Sequence, residues 1–279
     1  MTTGYFLDLE LDHCPKLERL QMPSLPNLRH LVLGEHYGLK EVDCGGLQSL
    51  ELLTVHLCYS LRTLPSVATT LRTLNLAYCE SLESLKASSS LPNLRDLRLH
   101  VCHKLKELDC EGCGSLEHLE LGVCHKLERL QMPSLPNLRY LELCKCYGLK
   151  EVDCGGCGSL EHLFLYDCNG LERLQMPSLP NLRHLDLREC YGLKEVDCGG
   201  LPSLQNLSVA ECGSLKRISV LPRSLETLRL QKCRQLQVLD GLDTLTNLRG
   251  VRIVECFHIA EESLPENIKR LPRLPYRWL

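Results

Sequence analysis

The sequence predicts a curved, right-handed solenoid of the α/β repeat type. About twelve short parallel strands line its concave face, and Pro/Gly-rich loops, 3₁₀ turns or polyproline segments return along its convex face, with little α-helix. Three observations carry this prediction. Residues 171–200, LERLQMPSLPNLRHLDLRECYGLKEVDCGG, repeat residues 127–156 with differences only at Tyr140/His184, Glu142/Asp186, Cys144/Arg188 and Lys145/Glu189. A further copy begins at Leu17, and the offsets of 44 and 110 residues are both multiples of 22. Finally, the returns carry prolines, which exclude a regular helix. A fixed period of this size marks an array of stacked units.

One frame, L-x-x-L-x-L-x-x-C-x-x-L-x-x-L, fits nearly the whole chain. Its Cys column is Cys14, Cys58, Cys79, Cys102, Cys124, Cys146, Cys168, Cys190, Cys212, Cys233 and Cys256, with His36 in the remaining slot. That gives twelve turns spaced 21 to 23 residues apart. The alternating L-x-L in each turn reads as a strand with one buried face. Successive strands are expected to stack in parallel about 4.8 Å apart. The Cys sits in the bend that follows. The return is read from QMPSLPN at 131–137 and 175–181, where short 3₁₀ or polyproline structure is expected. Returns of the DCGG type, as at 197–200, bend tightly through glycine. SVATT at 66–70 and KASSS at 86–90 depart from both patterns.

The frame resembles the leucine-rich repeat, over about residues 6–264. Its C-x-x-L-x-x-L continuation, with Leu64-Pro65 after the third turn, is similar to the repeat region of plant intracellular immune receptors of the NB-ARC, disease-resistance type. That resemblance implies a ligand-sensing or autoinhibitory role in defence, with a nucleotide-binding domain upstream of this stretch. The reading assigns 1–264 to the solenoid and 265–279 to a C-terminal cap or tail. Within the latter, Ser263 to Arg270 reads as a short helix with Ser263 as N-cap, and the lone tryptophan, Trp278, lies in the tail. The first strand starts almost at once, without a polar capping segment, which suggests either a fragment or a domain that once preceded it.

Composition narrows the function class. Net charge is −3, which gives no electrostatic case for nucleic acid or an anionic membrane. No apolar run approaches the roughly twenty residues of a membrane span. Eighteen cysteines would suggest disulfides in a small secreted chain, but eleven fall in one column at the repeat period. They read as buried, reduced, small apolar residues, which places the chain in the cytoplasm. Cys144 is the exception, on the open strand face, and should label first.

No catalytic, cofactor or metal site is expected. Cys110-x-x-Cys113 and Cys154-x-x-Cys157 each match half a zinc site but lie two layers, roughly 10 Å, apart. The slot eight residues after the column Cys accepts Met22, Met132 and Met176 as readily as Cys44, Cys110, Cys154 and Cys198, which marks it as a packing slot. The histidines His30, His118, His162 and His184 share one slot through duplication. What remains is surface. The four differences between the two near-identical copies all fall on the strand face, while QMPSLPNLR is unchanged. Tyr140, Glu142, His162, Phe164, Tyr166, His184, Asp186 and Arg188 are therefore the expected protein-binding residues. The alternatives are a substrate-recognition arm of a ubiquitin ligase, an enzyme using the Cys/His columns, and a decaying array without function.

Overall fold

Each turn opens with a five-residue strand whose alternate side chains face inward. In His162–Tyr166, Leu163 and Leu165 are fully buried, while His162, Phe164 and Tyr166 are half-buried on the other side. The computed structural model describes residues 7–86, 91–132, 135–259 and 264–274, with the backbone alone at 65, 66, 86 and 131. Twelve such strands, from Asp8–Asp12 to Gly250–Val254, form one parallel sheet in sequence order. Their register never slips: Leu163 pairs with Leu141 on one side and Leu185 on the other. Equivalent residues of successive turns thus form straight rows across the sheet.

Alternation alone would point the column Cys outward, since it lies three residues past the last strand leucine. The chain resets its phase with one left-handed residue. All twelve positions before the column, among them Val123, Lys145 and Asp167, have φ of 53–64°. A non-glycine residue there costs on the order of 1–2 kcal/mol. The inter-strand ladder continues through the kink and offsets this cost: the Asp167 N–H donates to Arg188 O at 2.8 Å. Cys168 then points inward, fully buried, with its thiol within 3.5 Å of Leu143 O in the preceding layer. The Leu171 N–H donates to Cys168 O at 3.0 Å, so C-x-x-L is the spacing of a tight turn. His36, alone in the column, is also fully buried, and its Nδ1 accepts the Cys14 backbone N–H at 3.1 Å.

The return side holds more regular structure than its prolines suggest. Before them, three-residue strands such as Arg173–Gln175 and Glu195–Asp197 pair in parallel with their neighbours, forming four small sheets opposite the long one. The apolar residue of most of these strands, such as Val196, is buried between layers, while Leu20, Leu174 and Leu239 are partly covered. The loops follow. Leu182 N–H donates to Leu179 O in a second tight turn, and Asn181 Nδ2 donates to Gly158 O in the layer before. In the DCGG return, Asp197 Oδ1 accepts the Gly199 N–H. A Cβ on Gly200 would lie 2.6 Å from Pro177 O, so only glycine lets these layers approach. All seven Met and Cys side chains of the shared slot eight residues past the column are buried.

The two ends differ from the middle. Cys14 is exposed, contrary to the burial expected of the whole column, because among the described residues no layer stacks outside it. At the other end, Val251 N–H donates to Pro272 O and Leu274 N–H to Val251 O, so the segment pairs along the last strand. One helical turn, Glu266–Lys269, precedes it, with Ile268 buried beneath. Its N-cap position is Pro265, without a side-chain cap. Ser263 and Trp278 lie outside the described residues, as does most of KASSS.

Candidate protein-binding face

The strict register turns the expected binding residues into three rows. The first runs His118, Tyr140, His162, His184; the middle row Glu120, Glu142, Phe164, Asp186; the third Gly122, Cys144, Tyr166, Arg188. Strands in this arrangement bring side chains of successive layers within contact, so the rings stack. His118 lies over Tyr140 at 4.3 Å and 6° between ring planes, and His162 over His184 at 4.6 Å and 8°. Phe164 bridges the rows, with its ring 5.4 Å from Tyr140 and 6.0 Å from Tyr166. The Arg188 guanidinium sits 5.0 Å above the Tyr166 ring, a cation–π geometry. All eight expected residues thus belong to one contiguous cluster.

Polar groups within it are mutually engaged. The Tyr140 hydroxyl donates to Glu142. Burial, then the Glu142 carboxylate, pushes the Tyr140 phenol above its ordinary range. Arg188 Nε donates to both Asp186 oxygens, at 3.0 and 3.1 Å, and Nη2 donates to Oδ2. Burial is the largest single influence and opposes the Arg188 charge, but the hydrogen bonds to Asp186 together with the charges of Asp186 and Tyr166 outweigh it and raise its pKa. Asp186 is only 9% exposed, although alternation places it on the open face. Its neighbours in the rows cover it. Burial also pushes the His162 and His184 rings down, and for His184 the facing His162 adds to the effect. Cys144 is half-buried, and burial raises its thiol too.

The same rows continue past the expected residues. Asp186 is followed by Ser208, Arg229 and Arg252; His184 by Asn206 and Thr227. A groove of about 260 Å³ opens here, walled by Phe164 and Arg188 and floored by Ser208 and Arg229. Four of the expected residues, Phe164, His184, Asp186 and Arg188, line it, whereas the lining from the next two strands, including Ser208 and Arg229, was not anticipated from sequence. The signal was available in the frame, since Leu207-Ser208-Val209 and Leu228-Arg229-Leu230 are the same strand triplet as Leu163-Phe164-Leu165. Neither triplet carries an aromatic ring, and both lie beyond the two copied units.

Comparison with solved structures settles the architecture. The chain aligns with the leucine-rich repeat domain of the type III effector XCV3220 (XopL) at 27% identity, covering 73% of this chain and 76% of that one, with a TM-score of 0.60. The fold is the leucine-rich repeat. Other matches are a leucine-rich repeat protein from Bacteroides ovatus (14% identity, 99% and 97% covered, TM-score 0.43) and the internalin inlF from Listeria monocytogenes (14% identity, 86% and 74% covered, TM-score 0.30). No protein-family model and no curated protein matches the chain.

Within this leucine-rich-repeat frame, the cysteine pairs are turn residues. Cys113 N–H donates to Cys110 O and Cys157 N–H to Cys154 O, each at 3.0 Å. Burial pushes the Cys110 and Cys157 thiols up to about 12 and Cys113 to about 11, which opposes the thiolate a metal requires. Among the described residues no three His, Cys, Asp or Glu side chains converge on a metal-sized site. No described helix is long and apolar enough to cross a membrane.

Proposed function

We propose that this chain is a protein-recognition scaffold whose ligand is another protein seated on the concave face. One observation carries the reading: Tyr140, Phe164, Tyr166 and Arg188 meet in a single ring cluster on the face that a solenoid presents to partners. Aromatic rings beside Arg are the residue types that concentrate binding energy at interfaces. The rings are half-buried against each other, which lowers the entropy lost when a partner docks. Recognition by a rigid surface involves no covalent step and no cofactor. In the finer reading, the scaffold is the ligand-sensing or autoinhibitory region of a plant-type intracellular immune receptor, in the cytoplasm, working with an upstream nucleotide-binding domain. The C-x-x-L-x-x-L continuation and Leu64-Pro65 support that placement, and eighteen free cysteines accord with a reducing compartment.

The test is differential capture of partners by three variants of the full chain. Phe164→Ala and Tyr166→Ala are expected to weaken binding by about 2 kcal/mol or more with little change in melting temperature. Ser178→Asp, on the exposed return side, is expected to leave binding intact. Equal loss from both faces, or none from the aromatic pair, would sink the assignment.

A further inference from the structure

The groove beside the ring cluster holds two polar groups without partners. Ser208 is 9% exposed, and its hydroxyl is buried without a hydrogen bond. Arg229 Nε is in the same state, and both residues line the groove. Leaving such groups unsatisfied is costly in a settled fold, so they point to a missing acceptor. The electrostatics agree on its sign. The groove is lined by two guanidiniums, Arg188 and Arg229, against one carboxylate, Asp186. That carboxylate is paired on both oxygens with Arg188, so its charge is neutralised locally and Arg229 is left as the surplus cation of the lining. The next strand places Arg252 directly beside Arg229, and like charges in facing positions repel. At about 260 Å³ the groove is at the small end of ligand sites. It suits one side chain of a larger partner.

We propose that this groove seats a carboxylate of the partner protein, an Asp or Glu side chain, with the Ser208 hydroxyl and the Arg229 guanidinium donating to it. The proposal deepens the protein-binding reading and rests on it. Phe164 walls the groove and would pack against the aliphatic stem of that side chain. On the other side of Phe164 the middle row carries Glu142 and Glu120, which repel an acidic residue. The face is therefore asymmetric on the two sides of Phe164, and an acid on the partner favours the Arg229 side.

The full chain is used to select from a displayed library of random peptides, and a selected peptide is synthesised beside its Glu→Gln or Asp→Asn counterpart. The expected result is an acidic residue at one fixed position next to an apolar one. Neutralising it costs about tenfold or more on the native chain, the range of a charged hydrogen bond. On Arg229→Gln the same change costs less than about twofold. Ser208→Ala weakens binding several-fold without lowering the melting temperature. Selection of peptides with no acidic position, or equal losses on the native chain and Arg229→Gln, overturns the proposal. So does displacement of the peptide by inorganic phosphate where acetate at the same concentration has no effect, since the seat would then suit a phosphate. If Phe164→Ala abolishes peptide binding and Arg229→Gln does not, the face remains an interface and the carboxylate seat falls. If neither variant changes binding, the face itself is wrong.

Discussion

The layers around Cys14 and Cys168 are built on one frame and behave differently. Cys168 is fully buried, with its thiol held between Leu143 O and Tyr166 O. Cys14 is exposed, Leu7 is 48% exposed, and Leu9 and Leu11 are only partly covered. The letters are the same, so the letters do not bury the core; the layer on each side does. A solenoid turn contributes half an interface to each neighbour, and among the described residues the first turn has one neighbour only.

The sharpest way to break this comparison is to place one charge in each layer. Cys168→Asp puts an unpaired carboxylate into a dry column and is expected to cost on the order of 3–5 kcal/mol, unfolding the adjacent layers. Cys14→Asp, at the surface, is expected to stay within about 0.5 kcal/mol of the native chain. Urea unfolding of both variants checks this, and comparable losses would contradict the layer argument. A thiol-labelling time course sharpens it. Cys14, being exposed, displaces Cys144 from the first place its open-face slot suggested; Cys144 is expected to react next, because burial raises its thiol but leaves it half-exposed. The middle column should react only through opening of the layers, because Cys102, for example, is fully buried with its thiol pushed up to about 12. Uniform labelling would count against a continuous core.

These contrasts show what a sequence of this kind reveals and what it hides. The period, the strand triplets and the inward leucines were legible, because each is a local pattern repeated twelve times. The rows were legible too, since identical layers must stack in register, and this brought all eight face residues together. The short strands of the return side were not. A triplet such as Glu195–Asp197 has too little alternation to register as a strand, and only stacking supplies its hydrogen bonds. The exposure of Cys14 and the covering of Asp186 were hidden for the same reason. Both depend on which neighbours exist, and the frame treats every turn alike. The left-handed residue before each column Cys also escaped, because glycine occupies none of those twelve positions.

The smallest expected effect lies within the ring cluster and concerns pH. His162 and His184 stack at 4.6 Å, and burial holds both rings below the ordinary histidine value. In the unfolded chain each titrates near 6.5. Above that value both states are neutral and stability is unaffected. As pH falls through about 6.5, the unfolded chain takes up protons that the folded stack resists, so stability declines until the folded pKa is passed. Both rings are half-exposed, so solvent screens the effect and the decline is modest. Glu161 beside His162 works in the opposite sense, and Arg183 adds to the depression at both rings. His184→Gln removes one ring and the repulsion between them. The variant is therefore expected to lose less stability than the native chain between pH 7.5 and 5.5, with urea midpoints as the readout. Carboxylates that titrate in the same range contribute alike to both proteins and cancel in the difference. Parallel declines in the two proteins would mean that the stack does not resist protonation.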